Sequence, residues 1–197
     1  MSSTKLPNPL GSRALAERSY HREIRSRLDQ VYEEVLPPWY PFRGEGRGIY
    51  APIVDVAVGP FAIETRYETR YSEILAQTRD FIENLIENHN ANVEDAEERA
   101  RFDRVAAFNM NARCLLCIEV EDTGSRKHCL GDLVNASALG RIGLLIARTD
   151  AVLRTFIRQR AYLAYLRSVD KNTFRTDNAL VLTEKQFNDC LAEMKRR

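Results

Sequence analysis

Two apolar runs, "CLLCIEVE" (114–121) and "RIGLLIA" (141–147), bracket a turn and a stretch of small residues, and this succession limits what the chain can fold into. The first run alternates as a half-buried strand, "DTGS" supplies turn residues, and "CLGDLVNASALG" (129–140) reads as a helix leading to a second strand. Gly131, Ala136, Ser137, Ala138 and Gly140 permit that helix to pack closely on a sheet.

The remaining segments extend the alternation. Residues 14–35 place Leu15, Ile24, Leu28, Val31 and Val35 near one face of an amphipathic helix, which "LPPWYPF" stops because proline cannot continue it. "IYAPIVDVAVGPF" predicts a strand in which Val54, Val56 and Val58 share one face and Ile53, Asp55 and Ala57 the other. Residues 71–89 predict a helix, followed by a short acidic one, and "ALVLTEKQFNDCLAEMKRR" predicts a strand and a helix with Thr183 as N-cap. The fold expected is α/β, a three-layer sandwich with a central mixed β-sheet flanked by helices, formed as one domain over 1–197 with 1–13 flexible.

With 29 Lys+Arg against 28 Asp+Glu, the whole chain offers no general attraction to nucleic acid or an acidic membrane. The charges are nevertheless polarised along the sequence: residues 80–104 hold eight acids and three bases, and 141–175 hold eight bases and two acids. No segment has the length and apolarity of a signal sequence or a membrane span, so a soluble, cytoplasmic protein without a membrane partner is expected. The four cysteines do not form a disulfide framework, and Cys114 and Cys117, pointing to opposite faces of a strand, read as buried hydrophobes. "GEGRG" (44–48) lacks the spacing of a phosphate-binding loop. In "ETRYETRY" (64–71) a helix would stack Arg66 over Arg70 and Tyr67 over Tyr71, either to hold a nucleic-acid strand or, more commonly, as a solvated face with ion pairs.

The acids on the strands carry the chemistry. Alternation places Glu119 and Glu121 on one face of their strand, and Asp55 sits on another apolar strand. Any one of these acids alone marks a strand emerging into solvent, whereas three together lose hydration and repel one another unless a cation compensates. Mg²⁺ or Mn²⁺ suits such oxygen ligands: Asp55, Glu119 and the Val120 carbonyl can bind it, and Glu121 can orient or deprotonate its water. Arg126, Lys127 and His128 then lie near a helix start, where a phosphate is favoured, with Lys127 the candidate for stabilising a negative transition state; an ordinary basic turn explains them equally well. Asp132 and Asn135, one helical turn apart, can face the site or water, with water the commoner outcome, and His128 has no partner at zinc spacing.

Taken together, "PIVDVAV", "CIEVE" and the helix and strand that follow, in a chain opening with a helix, resemble the PD-(D/E)XK superfamily of restriction-endonuclease-like nucleases over residues 14–150. The resemblance implies a restriction-endonuclease-like fold, Mg²⁺ bound by Asp55 and Glu119, and phosphodiester hydrolysis. Glu121 stands where that family usually has lysine, a substitution that some restriction enzymes of the superfamily share, and Lys127 is the nearest replacement. The first helix of several such nucleases also supplies a Glu, for which Glu34 or Glu33 is the local match.

Three functions are therefore expected to compete. The first is a metal-dependent DNA endonuclease whose basic 141–175 region, with Arg154 and Arg158, holds the phosphate backbone. The second is a catalytically inactive nuclease-like protein that binds nucleic acid or regulates. The third is a structural partner, such as a homodimer, whose polarised charges pair between subunits.

Overall fold

The computed structural model describes residues 9–41, 52–62, 65–172 and 174–194. The "GEGRG" loop, Phe42 and Glu64 lie outside them, as do residues 1–8 of the segment expected to be flexible. Residues 9–13 belong to the first helix, α1 (Pro9–Leu28).

Strands β1 (Val35–Leu36), β2 (Val56–Val58), β3 (Cys114–Glu121), β4 (Gly140–Ala147) and β5 (Ala179–Thr183) form one mixed sheet in sequential order. β2 runs antiparallel to both β1 and β3, whereas β3, β4 and β5 run parallel. The parallel strands are joined by α5 (Arg126–Leu139) and α6 (Asp150–Ser168), which satisfies the need for a long crossover between parallel neighbours. Along the remaining chain run α2 (Glu68–Gln77), α3 (Arg79–Ala91), α4 (Phe102–Phe108) and α7 (Glu184–Glu193). No helix among the described residues is long and apolar enough to cross a membrane.

Two apolar cores separate three layers. On one face Val56, Val58, Leu116, Ile118, Leu144 and Ile146 meet α1, α2, α3, α4 and α7; on the other, Ala57, Cys117, Leu145 and Val181 meet α5 and α6. Helices cover both faces, which is why β4 is buried along its whole length, Arg141 included. Thr183 caps α7 as expected, in a capping box with Gln186.

Several boundaries differ from expectation. α1 ends at Leu28, and Val35–Leu36 forms an edge strand, because the residue before a proline is driven out of helical geometry. The expected helix over 71–89 is broken at Thr78, whose Oγ1 donates to the Ile74 carbonyl at 2.8 Å. The strand expected through Asp55 is regular only from Val56: Val54 makes an isolated bridge to Trp39, Asp55 lies at a bend, and Val54 joins Ala57 in the α5–α6 core. Strict alternation fails again at Cys114, which lies in the same core as Cys117 and whose Sγ donates to the Leu139 carbonyl at 3.6 Å, so these thiols do not point to opposite faces. Both remain buried and reduced.

In the 64–71 repeat, α2 begins only at Glu68, leaving Arg66 ahead of it and exposed. Tyr67 and Tyr71 meet edge to face at 6.1 Å, Tyr71 is buried, and Arg70 pairs with Glu33 and Glu73. Ion pairing and packing therefore account for the described part of this motif.

The small residues of α5 serve close packing through Ala136, which lies against Gly143 of β4. A Cβ on Gly143 would stand 2.8 Å from the Ala136 carbonyl carbon and 3.0 Å from its Cβ. Gly143→Ala should therefore push α5 off the sheet and destabilise the protein by about 2 kcal/mol, the usual cost of overpacking a core, measurable by urea denaturation.

Candidate functional site

Asp55 and Glu119 meet where β2 and β3 separate. The Asp55 N–H donates to Glu119 Oε2 at 3.3 Å, and the Val120 N–H donates to Asp55 Oδ2 at 2.8 Å. Each carboxylate thus engages main chain of the other's strand, and the bend at Asp55 is bridged by side chains in place of a regular ladder. This clasp leaves Glu119 Oε1 buried without a hydrogen-bond partner among the described residues, on a side chain belonging to a residue only 4% exposed.

The electrostatic consequence is an excess of negative charge out of water. Burial pushes the Glu119 carboxyl well above the usual range, Cys117, Asp55 and Asp132 push it further, and the Asp55 N–H only partly opposes them. Asp132, on α5, is pushed up to about 7, first by burial and then by Glu121 and Asp55. Asp132 is half-buried and lies within the electrostatic reach of these acids, whereas the sequence favoured a position in water.

His21 of α1 enters from the opposite layer. Its Nε2 lies 4.0 Å from Asp55 Oδ2, its side chain is 12% exposed, and Nε2 itself is buried without a hydrogen-bond partner among the described residues. The sequence held a signal for it: His21 precedes the buried Ile24 and Leu28 by three and seven residues, the spacing of one helix face.

Glu121 is occupied differently. Its Oε1 accepts from the Asp122 and Thr123 N–H groups and from Thr123 Oγ1, closing the turn that Gly124 completes at φ +65°, where glycine is favoured. Its other oxygen, Oε2, lies 3.7 Å from His128 Nδ1. α5 starts at Arg126, three residues earlier than expected, so Arg126, Lys127 and His128 form its first turn, and all three are exposed. Glu34 is not brought to the acids: its carbonyl accepts from the Gly59 N–H, at the far end of β2 from Asp55, and Glu33 faces Arg70.

Several bases of the 141–175 region pair within the chain. Arg160 is buried and pairs with Glu98 of the acidic segment at 3.3 Å, Arg148 pairs with Glu184 at 2.7 Å, and Arg167 and Arg175 share Asp177. Arg154 and Arg158 remain exposed on one stripe of α6.

Among the described residues no three His, Cys, Asp or Glu side chains are gathered closely enough to hold a metal ion by themselves. The Asp55–Glu119 pair does fit a hard cation that takes one or two carboxylates and keeps its waters, because Glu119 Oε1 is a buried oxygen with its lone pairs unused. No family model matches the chain, and neither a curated protein nor a solved structure matches it.

The pKa of Asp132 gives a stability test. Because it rises from the ordinary 3.8 to about 7, the stability this group contributes is complete below the ordinary value and is lost as pH climbs toward 7. Asp132→Asn removes that dependence, so its melting temperature should exceed the wild type's by a margin that widens from pH 5 to pH 8. Differential scanning calorimetry with EDTA present checks this; a margin independent of pH would contradict the placement of Asp132.

Proposed function

We propose that this protein is a metal-dependent phosphodiesterase acting on DNA, in the manner of the PD-(D/E)XK nucleases. The observation that carries the reading is the clasped Asp55–Glu119 pair, with one carboxylate oxygen buried and unsatisfied. The elements on which the resemblance rests, α1, β2, β3, α5 and β4, occur in that chain order and support it as well, with β1 set between α1 and β2 and the helices α2, α3 and α4 between β2 and β3.

Asp55 and Glu119, with the Val120 carbonyl, would hold Mg²⁺ or Mn²⁺, which when bound neutralises phosphate charge and makes water a competent nucleophile near neutral pH. The chain's residues have the remaining tasks. Glu121 secures the turn after β3 and, through His128, the first turn of α5. That turn presents Arg126, Lys127 and His128 to solvent, where they can meet the phosphates flanking the scissile one. In hydrolysis the oxygen of water bonds to phosphorus while the bond from phosphorus to the departing sugar oxygen breaks, and a proton passes to that oxygen. The paired carboxylates orient the centre before substrate arrives, which places the cost of assembly in folding instead of in turnover.

Wild type should cleave plasmid DNA with Mg²⁺ or Mn²⁺ and lose activity in EDTA. Asp55→Ala and Glu119→Ala should each lower the rate by about a thousandfold, the order of effect expected when a major stabiliser of transition-state charge is removed. Metal-independent cleavage, or cleavage unaffected by either change, would refute the assignment.

The second reading is a nuclease-like protein that binds nucleic acid without cutting it. It is favoured by Glu121 standing in place of lysine with one oxygen committed to a turn, and by the lack of a three-residue ligand group among the described residues. Both readings assign Arg154 and Arg158 to the phosphate backbone. Arg154→Glu with Arg158→Glu should weaken binding to a duplex and flatten the slope of log Kd against log salt by about 2, one for each phosphate no longer neutralised. Fluorescence anisotropy across a salt series measures this, and an unchanged slope would remove α6 from the interface.

A further inference from the structure

The proposed chemistry has a gap: the family position two residues after Glu119 holds Glu121, an acid, and Lys127 and His128 are solvent-exposed. His128 leans toward Glu121, at 3.7 Å, and Glu121 is itself held by the turn at residues 122–123. A donor able to stabilise charge developing on the phosphate must come from another element.

Among the described residues His21 has the geometry for it. Tyr20, Ile24 and Leu28 anchor α1 in the core, and the Tyr20 hydroxyl also donates to Asn188 on α7 at 3.2 Å. The helix therefore fixes where His21 stands. Its Nε2 is buried, 4.0 Å from Asp55 Oδ2 and beyond hydrogen-bonding distance of it, so a donor nitrogen is aimed at the acid centre without being consumed there. Burying such a group without a partner costs free energy, which a ligand oxygen would return.

We infer that His21 does the work of the missing lysine: its Nε2–H donates to a non-bridging oxygen of the phosphate that the Asp55–Glu119 centre acts on. This rests on the phosphodiesterase reading. The ligand class is a phosphodiester, and the donor is present in the imidazolium and in the Nε2–H neutral tautomer. The arrangement also explains how Glu121 can serve the turn: with the donor supplied from α1, the residue after Val120 need not be a cation.

The test combines kinetics with a direct view of the nitrogen. The chain has three histidines, so ¹⁵N-histidine labelling gives a short spectrum in which His21→Gln identifies the His21 signals. Titration of the wild type with a DNA duplex, without divalent ion and again with Ca²⁺, should move the His21 Nε2 resonance. His21→Ala should cut kcat by about a hundredfold, as for loss of one oxyanion donor, with a melting temperature near that of wild type. A resonance that stays put overturns the inference whatever the rates, and so does a His21→Ala protein that cleaves as fast as the wild type. If wild type cuts nothing while the resonance moves, the phosphodiesterase reading falls and the phosphate contact stands.

Discussion

Everything proposed for this molecule depends on the exchange of hydrogen bonds between Asp55 and the β3 main chain. A carboxylate normally ends a strand or leaves it, because a buried charge without compensation is costly. Here the Val120 N–H binds Asp55 Oδ2 while the Asp55 N–H binds Glu119 Oε2, so the acids take over pairing that β2 gives up at its bend. Side chains thus hold the two strands together just beyond the last regular pair, Val56 and Ile118. The same exchange uses only part of the oxygen available, and the Glu119 Oε1 left over is the atom on which the proposed metal binding rests.

The layers on either side of the sheet both contribute to this centre. α1 brings His21 against Asp55 from one core, and α5 brings Asp132 into the field of Asp55, Glu119 and Glu121 from the other. The polarised charge of the sequence, by contrast, is met in part inside the fold, where Arg160 of the basic stretch pairs with Glu98 of the acidic one. Counting charges along the chain overstates the cationic surface, since pairing depends on which segments are neighbours in space.

Much of the architecture was legible because apolar periodicity reports burial. The runs forming β3, β4 and β5, and the Thr183 cap of α7, follow directly from residue pattern. The acids Asp55 and Glu119 were legible as anomalies within such runs. What the pattern missed came from tertiary pairing: the two-residue β1, the bend at Asp55, and the irregularity that brings Cys114 beside Cys117. A period of two assumes a regular ladder, and each of these departures occurs where the ladder is interrupted. Glu34 failed for a related reason, since the antiparallel register, not proximity in sequence, decides which end of β2 a residue joins.

The close approach of Gly143 and Ala136 has a consequence for how a ligand is received. With main chain of α5 packed almost directly on β4, the helix has little room to slide or tilt without opening voids along its length. The contact lies near the C-terminal end of α5, so the helix that carries Arg126, Lys127 and His128 on its first turn is pinned to the sheet at its other end. In the proposed complex with nucleic acid, a helix held there would leave the polymer to supply the adjustment by bending or rotating its own backbone, which would make recognition sensitive to the deformability of the ligand as well as to its charge.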